Sequence, residues 1–192
     1  MQVSDILAQK KKLRAQFSAL RAGIPAEQKA AWDAALCREI ATHPAFLACD
    51  ELLCFFPVRD EPNFTALYQL ARERGVKTAF PRCTGVQMSF HVVKDERELE
   101  PGRFGIPTPR EDAPLAACTS RTLCLLPALA ATKKGLRLGY GGGFYDRFLP
   151  GFPGTAMLPI YGVLLCDALP CEQTDRTADL ILTEKGELTQ DA

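Results

Sequence analysis

The chain has 192 residues, of which 47% are hydrophobic and 24% are charged, which is typical of one globular domain and excludes a disordered or collagen-like chain. Lysine plus arginine and aspartate plus glutamate each number 23, so no overall positive charge attracts nucleic acid. Because the sequence shows neither a signal peptide nor an apolar run of about eighteen residues, we expect a single cytoplasmic domain over residues 1–192, monomeric and without nucleic-acid or membrane partners.

Two amphipathic helices are predicted at the start of the chain. Apolar residues recur at helical spacing over residues 4–22, which indicates the first helix. Pro25 opens the second helix, which ends at His43-Pro44, because proline is favoured in a first helical turn and stops a helix elsewhere. We expect the two helices to form a hairpin against the main body.

Two cations of the first helix are candidate ligand-binding residues. Lys10 lies on the apolar stripe of the helix, where a lysine either extends its ammonium group to solvent or meets a buried anion. Arg14 follows one turn later and presents a second positive group on nearly the same side. The spacing alone leaves both interpretations of Lys10 open.

Six short apolar runs follow and are predicted to be strands. These runs are residues 51–57, 76–81, 87–93, 122–129, 160–166 and 179–183. Residues 62–74 have the pattern of an amphipathic helix, which gives a βαβ unit with parallel strands. Such crossovers produce a mostly parallel sheet covered by helices, so we expect a three-layer α/β domain. The proline- and glycine-rich residues 101–114 are predicted to be a loop.

The eight cysteines include no C-x-x-C pair, and only two histidines accompany them, which argues against a zinc site. Several cysteines lie in apolar strand-like runs, where a free thiol behaves as a small buried hydrophobe. We therefore expect reduced thiols, as in the cytosol.

The strongest motif is the glycine-rich segment 137–147. Four glycines at positions 139 and 141–143 let the backbone approach a ligand and turn its N–H groups toward it. Arg137 supplies a planar fork for phosphate oxygens, and a helix beginning near Gly143 would add its positive end. A flexible surface turn would explain the glycines alone, but the aromatic and charged residues around them favour a nucleotide-phosphate loop. The segment matches neither a P-loop nor a dinucleotide fingerprint.

Several other residues have two possible roles. Glu61 follows the first strand at the edge where open α/β sheets bind ligands, or it simply opens the next helix. Phe55, Met88 and Phe104 fit the core on composition. Asp146 and Asp179 are carboxylates that either share a magnesium ion or, for Asp179, cap a turn.

Residues 137–147 resemble the R-L-G-Y-G-G-G-Y-Y-D-R signature of 5-formyltetrahydrofolate cyclo-ligases, with Phe144 in place of a tyrosine. Further similar segments follow the family's order along nearly the whole chain. They are Lys10-x-x-Leu13-Arg14, residues 55–61, Ala79-Phe80-Pro81-Arg82, Met88-x-Phe90 and residues 104–109.

The resemblance implies a reaction and a set of site residues. ATP phosphorylates the formyl oxygen of 5-formyltetrahydrofolate, the N10 nitrogen attacks the activated carbon, and phosphate leaves to give 5,10-methenyltetrahydrofolate. The implied catalytic residues are Arg137 and Lys10, and the implied magnesium ligands are Asp146 and Asp179. The implied ATP contacts are Lys10, Arg14, Arg137, Gly139, Tyr140, Gly141, Gly142, Gly143, Phe144 and Tyr145. The implied folate contacts are Phe55, Glu61, Met88, Phe104, Tyr140 and Phe144.

The chain also departs from the family pattern in two regions. Residues 127–132 lack the usual aspartate and aromatic residue, and Thr132 stands where the aspartate is expected. Near the C-terminus the usual glutamine is absent, and Thr174 replaces the histidine of a His-Asp pair. These departures leave two alternatives open: a paralogue with altered or weak activity, and a nucleotide-binding module without turnover.

Overall fold

The computed structural model describes residues 3–102 and 105–188. The helices are α1 (Val3–Ala22), α2 (Ala26–Thr42), α3 (Pro44–Ala48), α4 (Thr65–Glu73) and α5 (Phe144–Phe148). The strands are β1 (Glu51–Leu53), β2 (Lys77–Thr84), β3 (Gln87–Val92), β4 (Leu99–Pro101), β5 (Pro107–Pro109), β6 (Thr122–Leu125), β7 (Ala130–Thr132), β8 (Arg137–Leu138), β9 (Thr155–Pro159), β10 (Leu165–Cys166), β11 (Leu180–Thr183) and β12 (Gly186–Glu187).

A large, mostly parallel sheet forms the centre of the fold. Within the described residues its strand order is β12-β11-β9-β6-β1-β2-β3. The five strands from β11 to β2 run parallel, and only the edge strands β3 and β12 are antiparallel to their neighbours. All residues of β1 and β6 are buried, since parallel sheets are covered on both faces. Their polar residues, Glu51 and Thr122, hydrogen-bond to each other. The predicted α/β fold is confirmed.

The helices flank this sheet at the predicted places. Helix α4 connects the parallel strands β1 and β2 and buries Leu67, Tyr68 and Ala71, so the predicted βαβ unit is present. Helix α2 buries Leu36 and Ile40 and packs against β11 and β12. The two N-terminal helices are present and are joined by residues 23–25.

The strand predicted at residues 160–166 is misplaced: within that range the structure has strand only at Leu165–Cys166, which is β10 of a small sheet. The fourth parallel strand from the β2 side is β9, which ends at Pro159, while residues Gly162–Leu164 form a 3-10 turn. No charged residue interrupts the sequence from Thr155 to Cys166, so the hydrophobic pattern alone did not mark where the strand ends. Proline has no N–H for the sheet ladder, and strand β9 ends at that residue.

Two small sheets complete the described part of the chain, and neither was predicted. Strand β5 lies within the segment predicted to be a loop and pairs with β4, which overlaps that segment at Pro101. Strand β7 pairs with β8 and β10 in the other small sheet. The antiparallel β7–β8 pair leads directly into the glycine-rich segment, because β8 consists of Arg137 and Leu138.

No described helix combines the length and the apolar character needed to cross a bilayer. The eight cysteines all lie within residues 3–102 and 105–188, and none forms a disulfide. Burial of the thiol raises the pKa of Cys37 and of Cys49 to about 11, so both remain protonated and unreactive at neutral pH.

Candidate active site

The glycine-rich loop, residues 139–143, lies between β8 and α5. Gly141 has φ +97°, a conformation that residues with side chains rarely adopt. A Cβ at Gly141 would also lie 3.2 Å from Cζ of Arg14. The absence of a side chain at Gly141 therefore lets the helix α1 arginine pack directly on the loop backbone.

A cleft of about 660 Å³ opens beside this loop, a volume in the usual range for small-molecule sites. Helix α1, the loop, α5 and residues 172–176 form its walls. All the residues predicted to contact ATP line this one cleft: Lys10, Arg14, Arg137, Gly139, Tyr140, Gly141, Gly142, Gly143, Phe144 and Tyr145. The structure thus brings together positions that are more than 120 residues apart in the chain.

Lys10 is buried, with 7% of its surface exposed, and does not extend to solvent. Its Nζ donates to Oε2 of Glu172 at 2.7 Å and to both carboxylate oxygens of Asp175 at 2.9 and 2.7 Å. Desolvation alone would lower the pKa of Lys10, but the hydrogen bonds to Asp175 and Glu172 outweigh it, and the pKa is raised. Of the two interpretations of Lys10, the structure matches the one in which the lysine meets buried anions, and these anions are the carboxylates of Glu172 and Asp175.

Two of the arginines that line the cleft, Arg14 and Arg137, are held by backbone carbonyls and one carboxylate. Arg14 donates its Nε to the carbonyl of Gly139 at 2.8 Å. Arg137 donates Nη1 to the carbonyl of Arg176 at 2.6 Å and Nη2 to Oδ1 of Asp146 at 3.0 Å. The side chain of Arg137 is only 4% exposed, so its guanidinium is fixed at the wall of the cleft.

The structure does not bring both predicted magnesium ligands into the cleft. Asp146 lines it, and its Oδ1 accepts hydrogen bonds from Arg137 and from the N–H of Arg176. Asp179 is not among the lining residues, and its Oδ2 accepts the N–H of Ala156 at 2.7 Å. The Asp179 carboxylate thus binds the backbone of strand β9 rather than a turn. Among the described residues, no group of three or more His, Cys, Asp or Glu side chains is placed to hold a metal ion.

A polar cluster joins the loop residue Tyr140, which is 44% exposed, to the buried side chains of Glu61 and Arg21. Glu61 is 2% exposed; its Oε2 accepts the N–H of Val58, while Oε1 is buried without a hydrogen-bond partner in the described part of the chain. Burial raises the pKa of Glu61. Burial, together with the nearby Glu61 charge, raises the pKa of Tyr140 to about 12. The Tyr140 hydroxyl accepts a short hydrogen bond from Nη2 of Arg21.

The other predicted folate contacts fall in different places. Phe55 is 4% exposed and packs edge-on against Phe64. Its side chain therefore belongs to the hydrophobic core. Met88 and Phe144 are half-buried and line a second cleft, described below. Phe104 lies outside the described residues.

Three residues of the site escaped the sequence analysis. Glu172 and Asp175 lie 162 and 165 residues from Lys10, a separation at which local spacing carries no information. Arg21 follows Arg14 by seven residues and so occupies the same helix face. That spacing could have indicated Arg21, which is 3% exposed.

The arrangement suits a polyanionic ligand. Lys10, Arg14 and Arg137 supply three cations to the cleft, and the glycine loop lines it as well. Such groups bind phosphate through charge-assisted hydrogen bonds. Helix α5 begins at Phe144, close to the predicted position.

Comparisons with known proteins identify the family of the chain. A model of the 5-formyltetrahydrofolate cyclo-ligase family matches residues 6–184. A 5-formyltetrahydrofolate cyclo-ligase of Mycolicibacterium smegmatis is 30% identical over 139 residues, which are 68% of this chain and 72% of that protein.

Solved structures show the same fold. The 5,10-methenyltetrahydrofolate synthetase of Aquifex aeolicus has a TM-score of 0.82 at 23% identity, over 95% of this chain and 94% of that one. The corresponding values for the Mycoplasma pneumoniae synthetase are 0.74 and 18%, over 91% and 98% of the two chains. With the family model matching almost the whole chain, the resemblance drawn from residues 137–147 is confirmed: the chain belongs to the 5-formyltetrahydrofolate cyclo-ligase family of enzymes.

Proposed function

We propose that the enzyme converts 5-formyltetrahydrofolate to 5,10-methenyltetrahydrofolate with ATP and Mg²⁺, releasing ADP and phosphate. The observation that carries the proposal is the single cleft that contains every predicted ATP contact. Family membership supports the folate substrate. We further propose that the enzyme is a monomer of one domain and acts in the cytoplasm.

Three cations of the cleft have roles in this reaction. Lys10 and Arg14 bind the phosphates of ATP, and Arg137 stabilises the charge that develops as the γ-phosphoryl group moves to the formyl oxygen. That transfer turns a poor leaving group into phosphate, which leaves after the N10 nitrogen attacks the formyl carbon. Glu172 and Asp175 keep Lys10 charged and in place before ATP arrives.

The residues present fit one magnesium ion bound together with ATP. Asp146 lines the cleft with a carboxylate of which Oδ1 alone accepts the described hydrogen bonds. Mg²⁺ is commonly held by one or two carboxylates and the substrate phosphates. When bound, the ion would neutralise phosphate charge, and Asp146 is the residue that would hold it.

The departures from the family pattern spare most of the cleft. Thr132 is the last residue of β7, is buried, and does not line the cleft. Thr174 does line it. We therefore expect turnover rather than nucleotide binding alone.

Absorbance provides the test, because the methenyl product has a conjugated chromophore that the formyl substrate lacks. Purified protein is mixed with 5-formyltetrahydrofolate, ATP and MgCl₂, and matched reactions omit one component. The proposal predicts product only in the complete mixture. Thermal stabilisation by ATP without any methenyltetrahydrofolate or ADP would instead support a nucleotide-binding module.

A further inference from the structure

A second cleft, of about 550 Å³, lies on the far side of Phe144 and Arg147 from the first. Both residues line both clefts, so the two clefts are neighbours along helix α5. The β2–β3 hairpin forms the other wall and contributes Arg82, Gln87 and Met88.

One wall of the second cleft is apolar. Met88, Phe144 and Phe148 are half-buried side chains that line it. A flat ring system fits against aromatic and methionine side chains of this kind. The second cleft therefore offers a surface for an aryl group directly beside the first cleft, which we call the nucleotide cleft after its proposed ligand.

Arg147 supplies an unpaired positive charge to the same cleft. Its Nε donates to the carbonyl of Val86 at 2.9 Å, and its Nη2 donates to the carbonyl of Gly142 at 2.7 Å. These bonds fix the guanidinium, whose Cζ lies 5.2 Å from the centre of the Phe144 ring. Arg147 is exposed and belongs to none of the ion pairs found among residues 3–102 and 105–188.

The second arginine of the cleft differs in this respect. Arg82 donates Nη1 to Oε1 of Glu100 at 2.8 Å and to the carbonyl of Pro109 at 2.6 Å. Its charge is already matched by Glu100. An incoming carboxylate would accordingly pair with Arg147, where no carboxylate competes.

We propose that the second cleft binds the p-aminobenzoylglutamate end of the substrate and that Arg147 pairs with a glutamyl carboxylate. The inference rests on the proposed function, because it places the two ends of one folate in adjoining clefts. The pterin with its reacting formyl group faces the nucleotide cleft, the p-aminobenzoyl ring packs on Phe144 and Met88, and the glutamate reaches Arg147. Arg147 is then a residue that selects substrates by their tail.

The test compares two substrates that differ only in the tail. 5-Formyltetrahydropteroate retains the formyl group, the N10 nitrogen and the p-aminobenzoyl ring but lacks the glutamate. Steady-state kcat/KM is measured for both substrates with the wild type, Arg147→Met and Arg147→Lys. The control variant is Arg110→Met, because Arg110 is an exposed arginine that pairs with Asp112 outside both clefts.

The wild type should prefer the folate by about tenfold or more, the effect of one charge-assisted carboxylate contact. Arg147→Met should lose most of that preference, because kcat/KM should fall further for the folate than for the pteroate; the lost bond to the Gly142 carbonyl acts on both substrates alike. Arg147→Lys should recover part of the preference, and Arg110→Met should retain all of it.

Three results would overturn the inference. They are equal use of the two substrates by the wild type, an equal loss on both substrates in Arg147→Met, and a full preference in either Arg147 variant. An equal loss would mean that Arg147 only supports the glycine loop through Gly142. If the wild type turned over neither substrate, the proposed function itself would be contradicted. That result differs from the three above, in all of which the wild type is active.

Discussion

The buried cations of the nucleotide cleft are held by the protein's own carboxylates. Lys10 contacts Glu172 and Asp175, and Arg137 contacts Asp146. Removing one member of such a pair leaves a partly buried charge without a partner, which costs more than the pair itself contributes. Substitutions here should affect stability as well as the proposed ATP binding, and separate measurements distinguish the two effects.

Lys10→Met should lower the free energy of unfolding by about 1–3 kcal/mol, because Glu172 and Asp175 lose their shared donor. In the double variant Lys10→Met/Asp175→Asn the loss should be smaller than the sum of the single losses, by about 0.5–3 kcal/mol. Denaturant unfolding of the four proteins measures this coupling. Additive losses, or a neutral Lys10→Met variant, would mean that Lys10 makes no such contact in solution.

Arg137→Ala should reduce kcat/KM for ATP by about a hundredfold or more, because it removes charge stabilisation from the transferred phosphoryl group. Arg97→Ala is the matched control, since the Arg97 side chain is 90% exposed and pairs only with the neighbouring Asp95 among the described ion pairs. Thermal unfolding checks that Arg137→Ala remains folded. Normal kinetics in a folded Arg137→Ala protein would remove this residue from the reaction.

Glu61 should make stability depend on pH. Because burial raises its pKa in the folded protein, the folded state holds the proton more tightly than the unfolded state. The resulting stability is fully present below the ordinary glutamate pKa of 4.5 and is lost as the pH rises through the folded-state value. Glu61→Gln should remove this loss.

At pH 8 the Glu61→Gln variant should therefore be more stable than the wild type by about 1 kcal/mol, or about 2–4 °C in Tm. Near pH 4 the difference should shrink. The measurement is thermal unfolding of both proteins across that range. Parallel stability curves would show that Glu61 does not titrate with a raised pKa.

At the scale of secondary structure, the glycine loop illustrates what the sequence could predict. Binding through backbone atoms requires residues without side chains, so the chemistry of residues 139–143 is visible locally. Strand β1, helix α4 and strand β2 were likewise predictable, because hydrophobic period and length agree. Strand β9 was not, since its apolar run continues past Pro159 into a 3-10 turn.

The loop glycines differ in what they tolerate. Gly141→Ala should lower the free energy of unfolding by about 1–3 kcal/mol, because φ is +97° and the new Cβ would press on Arg14. Gly139→Ala is the matched control: Gly139 has no positive φ, and no atom lies within 4 Å of its added Cβ. Equal losses in the two variants would mean that the loop does not hold the described conformation.

At the scale of the whole molecule, the nucleotide cleft joins the two ends of the chain. Helix α1 near the start, the glycine loop and residues 172–176 near the end all line this cleft. Local sequence pattern indicated helix α1 and the glycine loop but not residues 172–176. The sheet order places β11 next to β9 and β6, and this topology carries the acidic C-terminal segment back to Lys10. Long-range pairing of this kind cannot be inferred from the spacing of residues in one sequence.

The most direct test of the central claim is the ratio of ADP to methenyltetrahydrofolate formed in the same reaction. ADP is quantified by chromatography, and the methenyl product is measured by absorbance while 5-formyltetrahydrofolate is varied at saturating Mg²⁺ and ATP. If ATP phosphorylates the formyl oxygen, the two products appear in a ratio of one to one, and no ADP forms without the folate. ADP release that is independent of the folate, or ATP binding with neither product, would contradict the proposed reaction.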